Sequence, residues 1–182
     1  MIVCVAVLTL FQAPVVPHAE VLPLRRELLT AVDAIESHLV HMQAIALASS
    51  VPVLMPAERA ALDARYQAHI GSIDEIAHST YWHRVPLLDA GGQQLELQLH
   101  PRSDETVALK LACLTAASQG LTGDVTTAAN ASAELSNIAA ALVSTVSYRR
   151  SAAKTFRLAL GTRAARIRGS LYCGCRKPRN AP

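Results

Sequence analysis

LLTAVDAIESHLVHMQAIALAS, from Leu28 to Ser49, carries the clearest period in the chain. Its apolar residues Leu28, Val32, Ile35, Leu39, Met42 and Ala46 advance in strict steps of four and three. At about 100° per residue that spacing keeps them on one stripe, the pattern of a helix lying along a partner helix. The periodic segment predicts a coiled-coil-like helix from about Pro23 to Ser50, where Pro52 and Pro56 interrupt it. Pro56-Ala57-Glu58-Arg59 then reads as a new helix start, with proline and an acid in the first turn.

On the C-terminal side of that stretch a second helix is expected from about Ala57 to Ser79, with its stripe at Leu62, Tyr66, His69 or Ile70, Ile73 and Ile76. The short link makes the two helices antiparallel neighbours. Beyond Thr80 the period changes. Asp89-Ala90-Gly91-Gly92 is turn chemistry, and Leu95 to Leu99 alternates apolar and polar as a strand does. Thr106 to Leu111 alternates again, and the two runs predict a β-hairpin within about 86–112 that lies on the helices, because two strands alone are marginal. Gly120 and Gly123 break the chain, Asp124, Thr126 and Thr127 offer caps, and the longest helix follows. Its expected stripe is Ala131, Leu135, Ile138, Leu142, Thr145 or Val146, Ala153, Phe156 and Leu160.

Composition agrees with a helical protein. Of 182 residues 51% are hydrophobic but only 4% aromatic, so alanine and leucine dominate, and both favour helix. The formal charge of +3 is too small to imply a nucleic-acid or membrane partner. The excess gathers at one end: from Arg157 onward there are seven Arg and Lys and no acid, a basic tail read as solvated. Met1 to Phe11 is an apolar run too short to span a bilayer, read as a signal segment or a buried or disordered start. Cys4, Cys113, Cys173 and Cys175 make no disulfide framework, and Cys173-Gly174-Cys175 has no second ligand pair at zinc spacing.

No group of residues carries an expectation of chemistry. His38 and His41, three apart on the first helix, are read as a solvated pair with no third ligand beside them. His78 and His83 flank Tyr81 and Trp82 in an aromatic cluster expected to close a core. Asp74 and Glu75 are adjacent, about 100° apart on a helix, and cannot face each other as a carboxylate pair. Gly91-Gly92 and Gly120 with Gly123 are too sparse for a phosphate loop, and no nucleophile turn or dinucleotide fingerprint occurs. The chain is therefore expected to be no enzyme, with no catalytic, cofactor-binding or metal-ligating residue and no cofactor.

The segments resemble the inner region of bacterial flagellin. Ile35 to Ser49 resembles that family's inner-rod helix, and Glu58 to Leu88, ERAALDARYQAHIGSIDEIAHSTYWHRVPLL, is similar to the helix and following aromatic and leucine pair. Ile73, Asp74, Ile76, Thr80, Trp82, Leu87 and Leu88 fall at matching positions, although His83-Arg84 stands where the family has an Asn-Gly turn. Ser103 to Val107 resembles the return strand, Gly120-Leu121 a Gly-Leu segment, and Ala129 to Arg150 the C-terminal inner-rod helix. The match runs in family order over about three quarters of the chain. Nothing resembles the helical segment with which flagellins begin, and Leu171 to Pro182 is unlike their terminus, so the resemblance implies a diverged, truncated member.

It implies a mainly α fold of flagellin inner-rod type, an elongated coiled-coil-like bundle of three long helices with a small hairpin. Residues 1–22 would form the N-terminal segment, 23–168 the rod domain and 169–182 the tail. It further implies a secreted, extracellular structural protein of the flagellar filament and motility. The partners implied are flagellin subunits or other flagellar proteins, an export chaperone and further copies of the chain, with no nucleic acid and no membrane span. The alternative is a flagellin-derived surface or export-partner binding module that does not polymerise.

Overall fold

The computed structural model describes residues 13–170, with side-chain detail as far as residue 161. The apolar start, the Cys173-Gly174-Cys175 motif and most of the basic tail lie outside the described residues. The chain begins with a short strand, β1 (Val15–Val16), and a 3₁₀ turn at His18–Glu20, and then enters helix α1 (Val21–Ser49). Pro23 is harmless there, because the first turn of a helix has no partner for the missing N–H. Helix α2 (Pro56–Ser79) follows, then a two-residue hairpin β2 (Tyr81–Trp82) and β3 (Val85–Pro86). Strands β4 (Gln94–Gln98) and β5 (Thr106–Lys110) precede the longest helix, α3 (Ala128–Ser170).

The core runs along α1. Val21, Leu24, Leu28, Val32, Ile35, Leu39, Met42 and Ala46 are all fully buried, so the spacing of four and three does bury one stripe. Each large aliphatic side chain withdrawn from water contributes about 1.5–3 kcal/mol. Both other helices pack on this stripe. Arg59 at the start of α2 reaches the end of α1, and Ser49 at the end of α1 meets Val125 just before α3, so α1 runs antiparallel to each.

The register of α3 differs from the expected stripe. Ala131, Glu134, Ile138, Ala141, Thr145, Ala152, Phe156 and Ala159 are buried, while Leu135, Leu142 and Leu160 are only half-buried at the flanks. Small residues let α3 approach α1 closely, and the leucines beside them cover the edges of the contact. Its start is capped as expected: Thr127 Oγ1 accepts the Asn130 N–H at 3.0 Å, and Asp124 Oδ1 accepts from Thr126 N and Asn130 Nδ2.

The sheet has the order β1-β4-β5. β4 and β5 pair antiparallel with Leu95 opposite Leu109 and Leu97 opposite Val107, and β1 adds in parallel through Val15 and Val16. Leu95, Leu97 and Leu109 are buried, so the hairpin lies on the helices by one face, as the marginal stability of two isolated strands requires. β1 carries no sequence signal, since two valines between prolines do not show a period.

The turn between β2 and β3 is made by His83 (φ 45°) and Arg84 (φ 72°), both left-handed without being glycine. Two successive positive φ values match the type I′ turn that Asn-Gly favours. The substitution His83→Asn with Arg84→Gly is expected to raise the unfolding free energy by about 1–2 kcal/mol, read from urea denaturation midpoints. It also removes the interaction of His83 Nε2 with Glu20 Oε2 at 2.9 Å, but both side chains there are exposed, so little of the gain is offset.

Candidate functional site

Each group weighed in the sequence has a definite place. Asp74 and Glu75 part company, and Asp74 Oδ1 accepts the Ala116 N–H at 2.7 Å, pinning the loop that leads to α3. Asp63, eleven residues earlier on the same helix, accepts the Val125 N–H at 2.9 Å in the same way. Trp82 is half-buried and packs against the core, but Tyr81, His78 and His83 are exposed, so the aromatic cluster closes the core through Trp82 alone. Cys113 is free and half-buried.

Gly123 is closely approached: a Cβ there would meet the Glu134 carboxylate and force that side chain to shift. That carboxylate is the polar centre of the interior. Glu134 is 5% exposed; its Oε2 accepts from Tyr66 Oη at 2.5 Å and its Oε1 from Asn137 Nδ2 at 2.9 Å. At the end of α1, Arg59 donates to the Ser49 and Val51 carbonyls, and Ser49 Oγ donates to the Val125 carbonyl at 2.5 Å. These bonds satisfy helix-end carbonyls that would otherwise be unpaired. The arrangement is structural: each of these polar groups is committed to a neighbour.

Burial, and then the hydrogen bond to and charge of Glu134, raise the Tyr66 phenol far above its ordinary value of 10.0, with Asp63 adding to the rise. Burial also pushes Tyr148 up to about 12, opposed by the Ala112 backbone, which does not reach hydrogen-bond geometry. Both phenols are neutral in the fold at a pH where the unfolded chain ionises them. The stability this confers is intact below pH 10 and is lost as pH rises, through about 12 for Tyr148. The unfolding free energy, read from urea denaturation midpoints, is expected to fall above pH 10 by about 1.4 kcal/mol per pH unit for each phenol. Tyr148→Phe should halve that slope and cost nothing at neutral pH, because the Tyr148 hydroxyl has no hydrogen-bond partner to lose among the described residues.

The outer face of α1 carries a second apolar stripe. Leu22, Leu29, Val40 and Leu47 follow in steps of seven, eleven and seven, about a third of a turn from the core stripe. Leu22 is 57% exposed and Leu47 61%. Between them Asp33 and Glu36 lie 2.5 and 3.9 Å from Arg149 of α3, which holds the outer edges of the two helices together. Val143 and Leu158 of α3 are likewise exposed. A depression of about 560 Å³ lies along this face, lined by Leu22, Arg25, Arg26, Leu29 and Trp82 among others. No described helix is long and apolar enough to cross a membrane.

No family model and no curated protein matches the sequence. Among solved structures the chain is similar to the crystal structure of Bacillus cereus flagellin, at a TM-score of 0.67 and 22% identity, over 88% of this chain and 89% of that one. The fold is that of flagellin.

Within this flagellin-like fold the residues that carry the sequence resemblance are explained by position. Ile73, Leu87 and Leu88 are fully buried, Thr80 is 6% exposed and hydrogen-bonds the last turn of α2, and Asp74 holds the loop at Ala116. The stretch from Ile73 to Leu88 is thus the corner where α2, the small hairpin and the loop before α3 meet. The two positive φ values of an I′ turn are adopted there by His83 and Arg84, with no glycine or asparagine to ease them. Two groups were not legible from the chain order: the Glu134–Tyr66 pair, 68 residues apart, and a third histidine, His69, beside His38 and His41. A buried glutamate at a core register position was the available signal for the first.

Proposed function

We propose that this chain is a structural subunit of flagellin type, a packing protein and not a catalyst, which joins like rods through the outer face of α1 and α3. The observation that carries the proposal is the shared fold over nearly nine tenths of both chains. The outer stripe, exposed at Leu22, Val40 and Leu47 and half-buried at Leu29, supports it, because a second apolar stripe on a long helix leaves a face that the other described residues do not cover. The buried steps of three and four along α1 and α3 fit coiled-coil packing inside an elongated rod. In this reading residues 23–168 are the rod and the segments on either side flank it. Flagellin or other flagellar subunits are the partners, an export chaperone is a transient one, and the place of action is the flagellum outside the cell. The chain needs no cofactor for this and contacts no nucleic acid.

The test is to mix the purified protein with monomeric full-length flagellin and follow assembly by sedimentation and electron microscopy. Co-sedimentation in filaments is expected, reduced in a Leu22→Asp/Leu47→Asp variant that keeps its thermal midpoint. Inhibition of assembly, or indifference to it, would instead favour a flagellin-derived module that binds without polymerising.

A further inference from the structure

Three imidazoles from two helices meet at the seam between α1 and α2. His38 and His41 stand one turn apart on α1, and His69 faces them from α2. His38 Nδ1 and His69 Nδ1 lie 2.9 Å apart, the length of an N–H···N hydrogen bond, so one ring donates and the other accepts. The His41 ring lies nearly parallel to that of His69, with centroids 5.6 Å apart. His41 Nδ1 donates to the Ser37 carbonyl at 2.8 Å, which leaves Nε2 as the nitrogen that takes up a proton.

Proton counting decides what this arrangement tolerates. The His38–His69 bond has room for one hydrogen between its two nitrogens. A first added proton goes to Nε2 of the donor ring and leaves the bond in place, now charge-assisted. A second has to go to the accepting Nδ1, where it meets the donor N–H head on, and the rings must part. A proton on His41 sets a positive ring against the stacked face of His69.

The surroundings supply no compensating charge. One turn along α1 lie Ala34, Ile35, Ala44 and Ile45, and along α2 Arg65, Tyr66, Ser72 and Ile73. On α3 the stretch level with these rings, from Asn137 to Thr145, carries no charged residue, and Glu134 is held by Tyr66 and Asn137. Among the described residues the histidines that reach a carboxylate are His78 and His83, near the end of α2, and not these three. Burial, then the charges of His38 and His41, hold His69 below its ordinary value of 6.5. At His69 the folded chain therefore binds less proton than the unfolded chain, so the stability of this seam is complete above pH 6.5 and is lost as pH falls below it.

We propose that His38, His41 and His69 form an acid-sensitive latch, which clamps α2 to α1 while the three rings carry at most one added proton and loosens the seam when they take up more. The latch acts within one chain, so it stands whether or not the chain assembles into a filament. Mild acid releases the α2 side and spares the contact between α1 and α3, because α3 contains no histidine.

The test unfolds the full chain with urea at a series of pH values between about 5 and 8, the range in which histidine titrates. Amide hydrogen exchange, corrected for its intrinsic pH dependence, is followed at the two ends of that range. Below pH 6.5 the unfolding equilibrium constant of the wild type is expected to rise faster than that of His69→Gln, by up to about tenfold per pH unit for one withheld proton. His38→Gln should flatten the same limb. Because slopes are compared, a loss of stability at neutral pH in either variant leaves the comparison intact. On acidification the protection of α2 should fall roughly tenfold further than that of α3. Equal slopes in the wild type and both variants would overturn the latch, as would protection lost equally from α2 and α3.

Discussion

Tyr66→Phe is expected to lower the unfolding free energy by about 1.5–3 kcal/mol, the range for a hydrogen bond to a charged group. The substitution removes only the phenol oxygen, which donates to the Glu134 carboxylate at 2.5 Å, and leaves packing intact. The cost arises from the partner left behind. Glu134 is 5% exposed and would retain only Asn137 as a donor. Leaving a buried charge without its partner destabilises more than removing the whole pair does. Tyr66→Phe combined with Glu134→Met is therefore expected to recover most of the loss, since it removes the charge with its donor. A double-mutant cycle read by urea denaturation checks this. Two losses that simply add would show that the pair is not coupled.

Phe156→Ala is expected to cost about 3–5 kcal/mol, a fall in Tm of about 6–20 °C for a chain of this size. Phe156 is fully buried, and its neighbours along the α3 stripe, Ala152 and Ala159, are too small to fill the space it leaves. The ion pair between Arg149 and Asp33 marks the register, which places Phe156 at the level of Leu24 and Leu28 on α1. Differential scanning calorimetry measures the loss. Leu158, two residues away and 53% exposed, provides the contrast. Leu158→Ala should change stability by no more than about 0.5 kcal/mol, and any effect it has should appear in assembly.

The helices were readable because a buried stripe leaves a local trace. The steps of four and three from Leu28 to Ala46 are buried as written, and the helix start at Pro56 and the strands near Leu95 and Thr106 lie within a residue or so of their expected places. On α3 the same reasoning follows the leucines, and there it picks the wrong face in part. Leu135 and Leu142 flank the contact while Glu134, Ala141 and Ala152 occupy it, and of the expected alternatives Thr145 and Val146 it is Thr145 that is buried. Periodicity weighs apolar size, but close helix approach selects small residues, and a glutamate counts as surface until a donor from another helix is seen to meet it.

Hydrophobic period, proline and turn residues act over one or two turns of chain, so the order helix, helix, ribbon, long helix is written in the sequence alone. Which side chains meet is a property of the assembled tertiary structure. Tyr66 and Glu134 are 68 residues apart, His38 and His69 are 31 apart, and Val16 joins a sheet whose other strands begin near residue 94. Such contacts depend on the rotation of each helix about its axis and on the register between helices. Those are set by packing over the whole core, to which no local stretch of chain has access.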